Sequence, residues 1–203
     1  MDEAKQMWDE RFREEGYAYG REPNDFLREQ AGGIADGGRV LCLADGEGRN
    51  SVWLAKQGFE VTAVDISEVG LAKAQRLAEE EGVEIKTVCA DLKEYDMGKE
   101  MWDAIVWVFV PLPTDLRKKV YEKVGVGMKG GGRFVMEMYT PRQLEMPGRG
   151  GGSDAGTMVD ETELRREIKG FDFEVLEEVE REIVEGSLHA GVSAVVRMAG
   201  RKV

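Results

Sequence analysis

A glycine turn between an apolar run and a helix is the first feature of this sequence that could do chemistry. The turn reads Asp45-Gly46-Glu47-Gly48, follows the apolar run 40–44 and opens into a predicted helix over about 49–57. Gly46 and Gly48 carry no Cβ and accept a positive φ, so the backbone can approach a ligand closely. The free N–H groups of the helix N-terminus point to the same place.

Asp65 ends the next apolar run, 59–64, and it completes a strand–turn–helix–strand–acid unit. A carboxylate at that position can accept hydrogen bonds from both hydroxyls of a ribose. The unit therefore predicts the binding of a nucleoside-bearing cofactor.

The elements that must position this unit alternate between strand and helix, which implies a parallel sheet with helices on both faces. Strands are expected at 40–44, 59–64, 84–89, 104–110 and 133–139, with helices at about 68–80 and 114–124. Two strand-like stretches, 171–184 and 188–199, flank Glu185-Gly186-Ser187 and predict a terminal hairpin. The expected fold class is α/β, with a doubly wound, mostly parallel seven-stranded sheet and an antiparallel C-terminal hairpin strand.

The segment before the first strand predicts a helical lid. A helix is expected from Ala4 to about Glu15, and Gly20 and Pro23 separate it from a short helix that ends near Leu27. Its tyrosines and phenylalanine could cover the ligand, or they could only pack the helix on the sheet. We expect one domain over 1–203, with a lid over 1–36 and a core over 37–203.

Two further segments lie between the fifth strand and the hairpin. The glycine-rich stretch 141–158 predicts a long loop that is mobile without ligand, and its part 148–152 could close over the pocket. Asp160 and Glu163 have the spacing of a capping box, which predicts a helix to about Lys169.

Composition and charge exclude several classes of partner. The formal net charge of −12 over 203 residues argues against a nucleic-acid partner. The basic run Arg117-Lys118-Lys119 is interpreted as the solvated face of a helix. No apolar run approaches the roughly 20 residues that span a bilayer, and the N-terminal sequence has no signal-peptide pattern, so we expect a cytoplasmic protein without membrane contact.

The cysteines and the single histidine limit disulfide and metal chemistry. Cys42 and Cys89 fall in the first and third predicted strands, too far apart for a disulfide, and both are expected to be buried thiols. His189 is the only histidine, and it forms no metal cluster with cysteine.

Several motifs, taken in order, resemble class I S-adenosylmethionine-dependent methyltransferases. They are ADGEGRN, VTAVDIS, CADL, AIVWVFV and the terminal hairpin, while GRNSVWLA, ELRR, YTPRQL and LHAG look like the small tellurite-resistance-type methyltransferases. The resemblance covers nearly the whole chain, and the order and spacing of the motifs carry it. It implies a Rossmann-like methyltransferase fold, S-adenosyl-L-methionine as cofactor, and a monomer or homodimer.

On this resemblance, the cofactor would contact residues of the lid, the glycine turn and the strand ends. These are Tyr19, Gly20, Asp45, Gly46, Glu47, Gly48, Asn50, Asp65, Ile66, Ser67, Asp91, Leu92 and Val108. Asp65 would hold the ribose hydroxyls, and Ile66 would pack on the adenine. Asp91 would accept from the adenine amino group, with a backbone donor from Leu92.

The chain departs from the family pattern in the turn and after the fourth strand. Cys42 stands where the family has an acid, and Ala44 stands where it has the first glycine. Asp45 is expected to replace the missing carboxylate near the cofactor's ammonium group. Pro111 stands where relatives often have a histidine, so no role of that histidine carries over.

The acceptor side is predicted from aromatic and basic residues. The candidates are Tyr17, Tyr19, Phe109, Tyr139, Arg142 and His189. His189, Tyr139 and Arg142 are the predicted catalytic residues. Arg142 could hold an oxyanion or be a solvated loop arginine, and His189 could act on the acceptor or be structural. The acceptor could be a chalcogen oxyanion, a thiol or a small metabolite, and only some of these need a general base.

Two other functions remain open at this point. A nicotinamide-dependent oxidoreductase would need a third glycine three residues after Gly48, where the chain has Ser51. A non-catalytic S-adenosylmethionine-binding protein fits the altered turn, and a product assay would distinguish it from an enzyme.

Overall fold

The fold is an α/β sandwich whose strands and helices alternate along the chain. A computed structural model describes residues 3–203. The strands are β1 Arg39–Leu43, β2 Glu60–Asp65, β3 Lys86–Cys89, β4 Trp102–Val108, β5 Met128–Tyr139, β6 Phe171–Glu185 and β7 His189–Lys202. The helices are α1 Glu3–Phe12, α2 Asp25–Gln30, α3 Arg49–Lys56, α4 Glu68–Glu81, α5 Thr114–Gly127 and α6 Glu161–Glu167. Short 3-10 helices lie at Ala31–Gly33, Pro141–Glu145 and Ala155–Thr157.

The seven strands form one sheet in the order β3-β2-β1-β4-β5-β7-β6. Neighbouring strands from β3 to β5 pair in parallel, whereas β7 pairs antiparallel with both β5 and β6. The predicted fold class is confirmed, including the antiparallel hairpin strand. Because the parallel strands share one direction, β1, β2 and β4 end at the same edge of the sheet.

The core covers both faces of the sheet, as period-2 alternation along the strands requires. On β1, Leu41 and Leu43 join the apolar cluster that includes residues of α5 and α6. Val40 and Cys42 point the other way and join the cluster that includes residues of α2, α3 and α4. All four side chains are nearly inaccessible, so β1 is fully buried, as its continuous apolar run predicts.

Local capping residues set the helix ends that the sequence predicted. Ser67 Oγ accepts a hydrogen bond from Gly70 N at 3.1 Å to begin α4, and Gly82, at φ 69°, ends it. Asp160 and Glu163 form both bonds of the capping box at the start of α6.

Most strand boundaries differ from the prediction by a few residues, and the backbone explains two of the differences. β5 begins at Met128, not near 133, because the expected glycine turn continues as strand and Met128 pairs with Trp102. β4 ends at Val108 because Phe109 adopts φ 53°, which takes the chain out of the β region.

Two burial predictions were wrong. Cys89 is exposed, because β3 is short and lies at the edge of the sheet, whereas Cys42 is buried as expected. Arg117 is fully buried, because α5 packs it against Glu167 of α6. Its Nε donates to Glu167 Oε2 at 3.0 Å, and its Nη1 donates to the carbonyl of Met158 at 2.9 Å. The neighbouring Lys118 and Lys119 are exposed, as predicted.

The segment before β1 is fastened to the turn that follows β1. Lys73 of α4 donates to the carbonyls of Glu14 and Gly16 at 2.8 and 2.6 Å, and to Glu47 Oε1 at 2.8 Å. Glu47 Oε2 accepts from Ala18 N at 2.7 Å. Over residues 3–203, none of the helices combines the length and the apolar character that a bilayer crossing requires.

Candidate cofactor and acceptor site

A cavity of about 600 Å³ opens at the carboxyl edge of the parallel strands. The lid, the turns after β1, β2 and β4, the loop 151–158 and the start of β7 surround it. Most of the predicted site residues line it. They are Tyr19, Gly20, Asp45, Gly46, Glu47, Asn50, Asp65, Ile66, Asp91, Leu92, Val108, Phe109, Tyr139 and His189.

The turn after β1 has the left-handed backbone that its glycines predict. Gly46 and Gly48 have φ values of 59° and 91°, and Ala44, in the place of the family's first glycine, has φ 46°. A Cβ on Gly48 would lie 2.6 Å from the Cβ of Ala74 in α4. Gly48 is therefore required for helix packing as well as for its φ, and it does not line the cavity.

Asp65 joins the end of β2 to the glycine turn. Its Oδ2 accepts from Gly46 N and its Oδ1 accepts from Ser67 N, both at 2.8 Å. Burial raises the pKa of this carboxyl, and the backbone hydrogen bonds only partly oppose that shift. A carboxylate offers about four lone-pair directions, so Asp65 can still accept from a ligand hydroxyl.

Asp45 is a half-buried acid, and its inaccessible oxygen Oδ1 is unsatisfied. Its Oδ2 accepts from the Ser51 hydroxyl, whereas its Oδ1 has no hydrogen-bond partner among residues 3–203. Burial raises the pKa of Asp45 to about 7, although the Ser51 hydrogen bond opposes the shift. An unpaired buried carboxylate oxygen in a cavity wall fits a cationic ligand group, such as an ammonium, which would lower that pKa again.

Two polar residues beside the turn hold the lid in place. Both carboxylate oxygens of Glu47 are engaged, one by Ala18 N and one by Lys73. Asn50 Oδ1 accepts from Asn24 N at 2.9 Å. These side chains line the cavity, and their hydrogen bonds join the lid to the start of α3.

The other end of the cavity is an aromatic chamber formed by Tyr19, Phe109, Tyr139 and His189. The Tyr19 and His189 ring centroids are 4.4 Å apart, and Phe109 stacks on Tyr139 at 4.5 Å. The His189 and Phe109 ring centroids are 4.8 Å apart, and the two rings are nearly perpendicular, at 81°. Phe109 reaches this position through its positive φ, a strained conformation of a kind that clusters at functional sites.

Two polar atoms of the chamber have no partner. Tyr139 Oη and His189 Nδ1 are buried, and neither forms a hydrogen bond with the described chain. Burial lowers the pKa of His189 to about 3, and the nearby Arg49 adds to this effect. Burial also raises the pKa of Tyr139 far above its usual range. Both rings are therefore neutral at pH 7.

Comparison with known proteins supports the predicted activity over part of the chain. Residues 40–132 match the family model described as a methyltransferase domain. The uncharacterized methyltransferase YbaJ of Bacillus subtilis is 38% identical over 88 residues, which are 41% of this chain and 34% of YbaJ. The chain thus spans about a third of the length of that relative.

Two solved structures superpose on almost all of the chain. The N-methyltransferase NodS from Bradyrhizobium japonicum WM9, in complex with S-adenosyl-L-homocysteine, has a TM-score of 0.73 and 14% identity over 99% of both chains. TehB from Haemophilus influenzae has a TM-score of 0.72 and 21% identity over 98% of this chain and 67% of TehB. The protein has the Rossmann-like methyltransferase fold. At these identities the likeness establishes the fold alone.

Four residues predicted for the methyltransferase site lie outside the cavity. Gly48 packs on α4, and Ser67 caps it. Tyr17 lies 5.5 Å from the Arg21 guanidinium and does not line the cavity. Arg142 is exposed, and its Nη2 lies 2.6 Å from Glu180 Oε1. Arg142 is therefore a solvated loop arginine, the second of its two predicted roles, and it does not reach the cavity as an oxyanion contact would.

The sequence analysis missed a buried polar network behind the chamber. Asn24 Nδ2 donates to Glu137 Oε2 at 2.5 Å and to Glu185 Oε1 at 3.0 Å. Arg181 Nη2 bridges the same two carboxylates, and Arg49 lies 2.6 Å from Glu185 Oε2. One usable signal was present: Glu137 is the only charged residue in the otherwise apolar run 134–139. A charge in a central strand implies a buried partner.

Proposed function

We propose that the protein is an S-adenosylmethionine-dependent methyltransferase that acts on a small molecule. The observation that carries this proposal is one cavity that joins Asp45 and Asp65 to the aromatic chamber. The methyltransferase-domain match over residues 40–132 supports it. When bound, the cofactor supplies a methyl group activated by a sulfonium. The reaction then needs an acceptor placed in line with the bond between the methyl carbon and the sulfur.

The cofactor roles are assigned by chemistry and position in the cavity. The orphan oxygen of Asp45 suits the cofactor's ammonium group, and the remaining lone pairs of Asp65 suit the ribose hydroxyls. Ile66 offers an apolar surface to the adenine. Asp91 accepts from Lys93 N through Oδ1, which fixes the carboxylate beside Leu92 for the adenine amino group.

The protein's main catalytic contribution is placement. Holding the acceptor at near-attack geometry can lower the barrier by roughly 7–11 kcal/mol. Residues 1–36 act as the lid in this proposal, since Lys73 and Glu47 fasten the lid residues 14–18 over the glycine turn. Gly151 and Gly152 of the glycine loop contribute to the opposite wall.

The charges of the cavity wall favour a neutral or soft acceptor, such as a thiol, over a chalcogen oxyanion. Arg142, the predicted oxyanion contact, lies outside the cavity and pairs with Glu180. Arg49 is paired with Glu185, and Arg11 donates to Tyr19 Oη at 2.9 Å. An oxyanion would have to compete with these contacts inside a wall that also contains several acids. The tellurite-resistance-type subgroup, the cytoplasmic location and the monomeric or homodimeric state remain predictions.

A product assay tests the proposal. Purified protein is incubated with methyl-labelled S-adenosylmethionine and separate panels of thiols, small amines, selenite and tellurite, and S-adenosylhomocysteine is quantified. We expect turnover with at least one thiol, and its loss in Asp65→Ala but not in the exposed control Asp36→Asn. Cofactor binding without product in any panel would instead favour the non-catalytic alternative.

A further inference from the structure

The amino-acid end of the proposed cofactor carries two charges, and the roles assigned above provide for only one of them. Asp45 suits the ammonium group, whereas the α-carboxylate on the same carbon has no partner so far. An anionic group that leaves water for a partly buried site requires a cation or hydrogen-bond donors. Within the described part of the chain, Arg11 and Arg49 are the cations that line the cavity.

Of these two arginines, only Arg11 lacks a carboxylate partner among the described residues. Arg49 Nη2 lies 2.6 Å from Glu185 Oε2, and both of these side chains are buried. Arg11 is exposed, and its Nη1 donates to Tyr19 Oη at 2.9 Å. A guanidinium carries five N–H donors in a planar fork that matches a carboxylate. Arg11 can therefore bind a carboxylate and keep its hydrogen bond with Tyr19.

Contacts on two sides place Arg11 between the glycine turn and the aromatic chamber. The next residue, Phe12, is buried, and its Cζ lies 3.0 Å from the position that a Cβ on Gly46 would take. Tyr19, the hydrogen-bond partner of Arg11, packs against His189 with the ring centroids 4.4 Å apart. Arg11 thus joins the turn that contains the acid for the ammonium group to the chamber proposed for the acceptor.

Helix α1 is anchored so that Arg11 belongs to its cavity face. Asp9 Oδ1 accepts from Ser67 Oγ at 2.5 Å, where α4 begins. Trp8, Arg11 and Phe12 all line the cavity, and they have the i, i+3, i+4 spacing of one helix face. The Arg11 guanidinium lies over the Trp8 ring, 4.8 Å from its centroid. A ligand that binds Arg11 is therefore bound to the lid helix as well as to the glycine turn.

We infer that Arg11 binds the α-carboxylate of the cofactor, with Tyr19 as the residue that positions its guanidinium. This inference rests on the proposed function and supplies the partner that the carboxylate lacked. It makes Arg11 a determinant of ligand specificity, because a ligand without that carboxylate cannot join the glycine turn to α1. It also agrees with a neutral or soft acceptor, since Arg11 is then not available to an anionic one.

Two ligands that differ only in the carboxylate test the inference. S-adenosylhomocysteine and its decarboxylated analogue are titrated calorimetrically into the unmodified full-length protein, Arg11→Gln and the control Arg13→Gln. Arg13 is an exposed arginine of the lid that does not line the cavity. We expect the unmodified protein to prefer S-adenosylhomocysteine about tenfold, the low end for a hydrogen bond to a charged group, because Arg11 is exposed.

The variants show whether Arg11 is the source of this preference. Arg11→Gln should abolish it by weakening the binding of S-adenosylhomocysteine alone, and Arg13→Gln should retain it. Arg11→Lys should recover part of it, because lysine keeps the charge without the planar fork. If Arg11→Gln weakens both ligands by the same factor, or weakens neither, the inference is wrong and the proposed function stands. If neither ligand binds the unmodified protein, the proposed function is wrong as well, so the two failures are distinguishable.

Discussion

Asp45 is the residue whose change tests the cofactor side of the site most sharply. Burial raises its pKa from the ordinary 3.8 to about 7 in the unliganded protein. A cationic ammonium group binds the carboxylate form, so binding must displace a proton below that pKa. At pH 6 only about one molecule in eleven carries the charged form, whereas at pH 8 about ten in eleven do.

Affinity for S-adenosylhomocysteine should therefore rise about tenfold from pH 6 to pH 8, which is about 1.4 kcal/mol. Asp45→Asn should weaken binding at pH 8 and flatten this pH profile. Calorimetry in two buffers of different ionisation enthalpy measures the affinity and the released proton together. Asp36→Asn, at an exposed site, should keep both the affinity and the profile of the unmodified protein.

The same shift predicts the sign of a stability change. The folded-state pKa of Asp45 lies above the unfolded-state value, so the folded protein holds the proton more tightly. The stabilising contribution of Asp45 to the free energy of unfolding is therefore lost as pH rises from about 4 to 7. Unliganded Asp45→Asn should melt at or above the temperature of the unmodified protein at pH 8. Equal affinity and the same pH profile in Asp45→Asn would refute the reasoning.

Three further predictions concern the chamber, the lid and α5. The ring signals of His189 should not titrate between pH 8 and pH 5, since burial lowers its pKa to about 3; a titration near 6.5 would contradict this. The contribution of His189 alone to the free energy of unfolding should fall by about 1.4 kcal/mol per pH unit below 6.5, and it opposes the contribution of Asp45 over the same range. Lys73→Met leaves the buried Glu47 without its cation, so we expect a loss of about 3 kcal/mol in urea unfolding and faster proteolysis of the lid. Arg117→Met should cost about 3 kcal/mol by removing the buried partner of Glu167, whose other cations, Lys118 and Arg166, are exposed and lie 3.8–3.9 Å away. A cost under about 1 kcal/mol would show that the Arg117–Glu167 pair is not desolvated.

Most of the fold could be predicted from the sequence because local and global signals agree. The apolar runs, the caps at Ser67 and Asp160, and the glycines at 46, 48 and 82 each specify a local geometry that the tertiary structure keeps. The predicted cofactor-side residues Asp45 and Asp65 line one cavity for the same reason, since the turn and the acid at the end of β2 lie within one contiguous segment.

The residues that sequence reasoning misplaced depend on partners distant along the chain. Arg117 looks solvated within its own helix, and only Glu167, 50 residues later, explains its burial. Asn24 and Glu185 are 161 residues apart, yet they share a hydrogen bond behind the chamber. Arg142 follows β5 as expected, but its ion pair with Glu180 holds it outside the cavity. Such pairings follow from the packing of the sheet and not from a local pattern.

Calorimetric titration of the unmodified protein and of Asp65→Ala tests the central claim most directly. S-adenosylmethionine, S-adenosylhomocysteine and NADH are titrated separately at pH 8. The account predicts micromolar binding of the two sulfur compounds, its loss in Asp65→Ala, and no binding of NADH. If neither sulfur compound binds the unmodified protein, the cavity does not hold the cofactor, and the proposed methyl transfer is wrong.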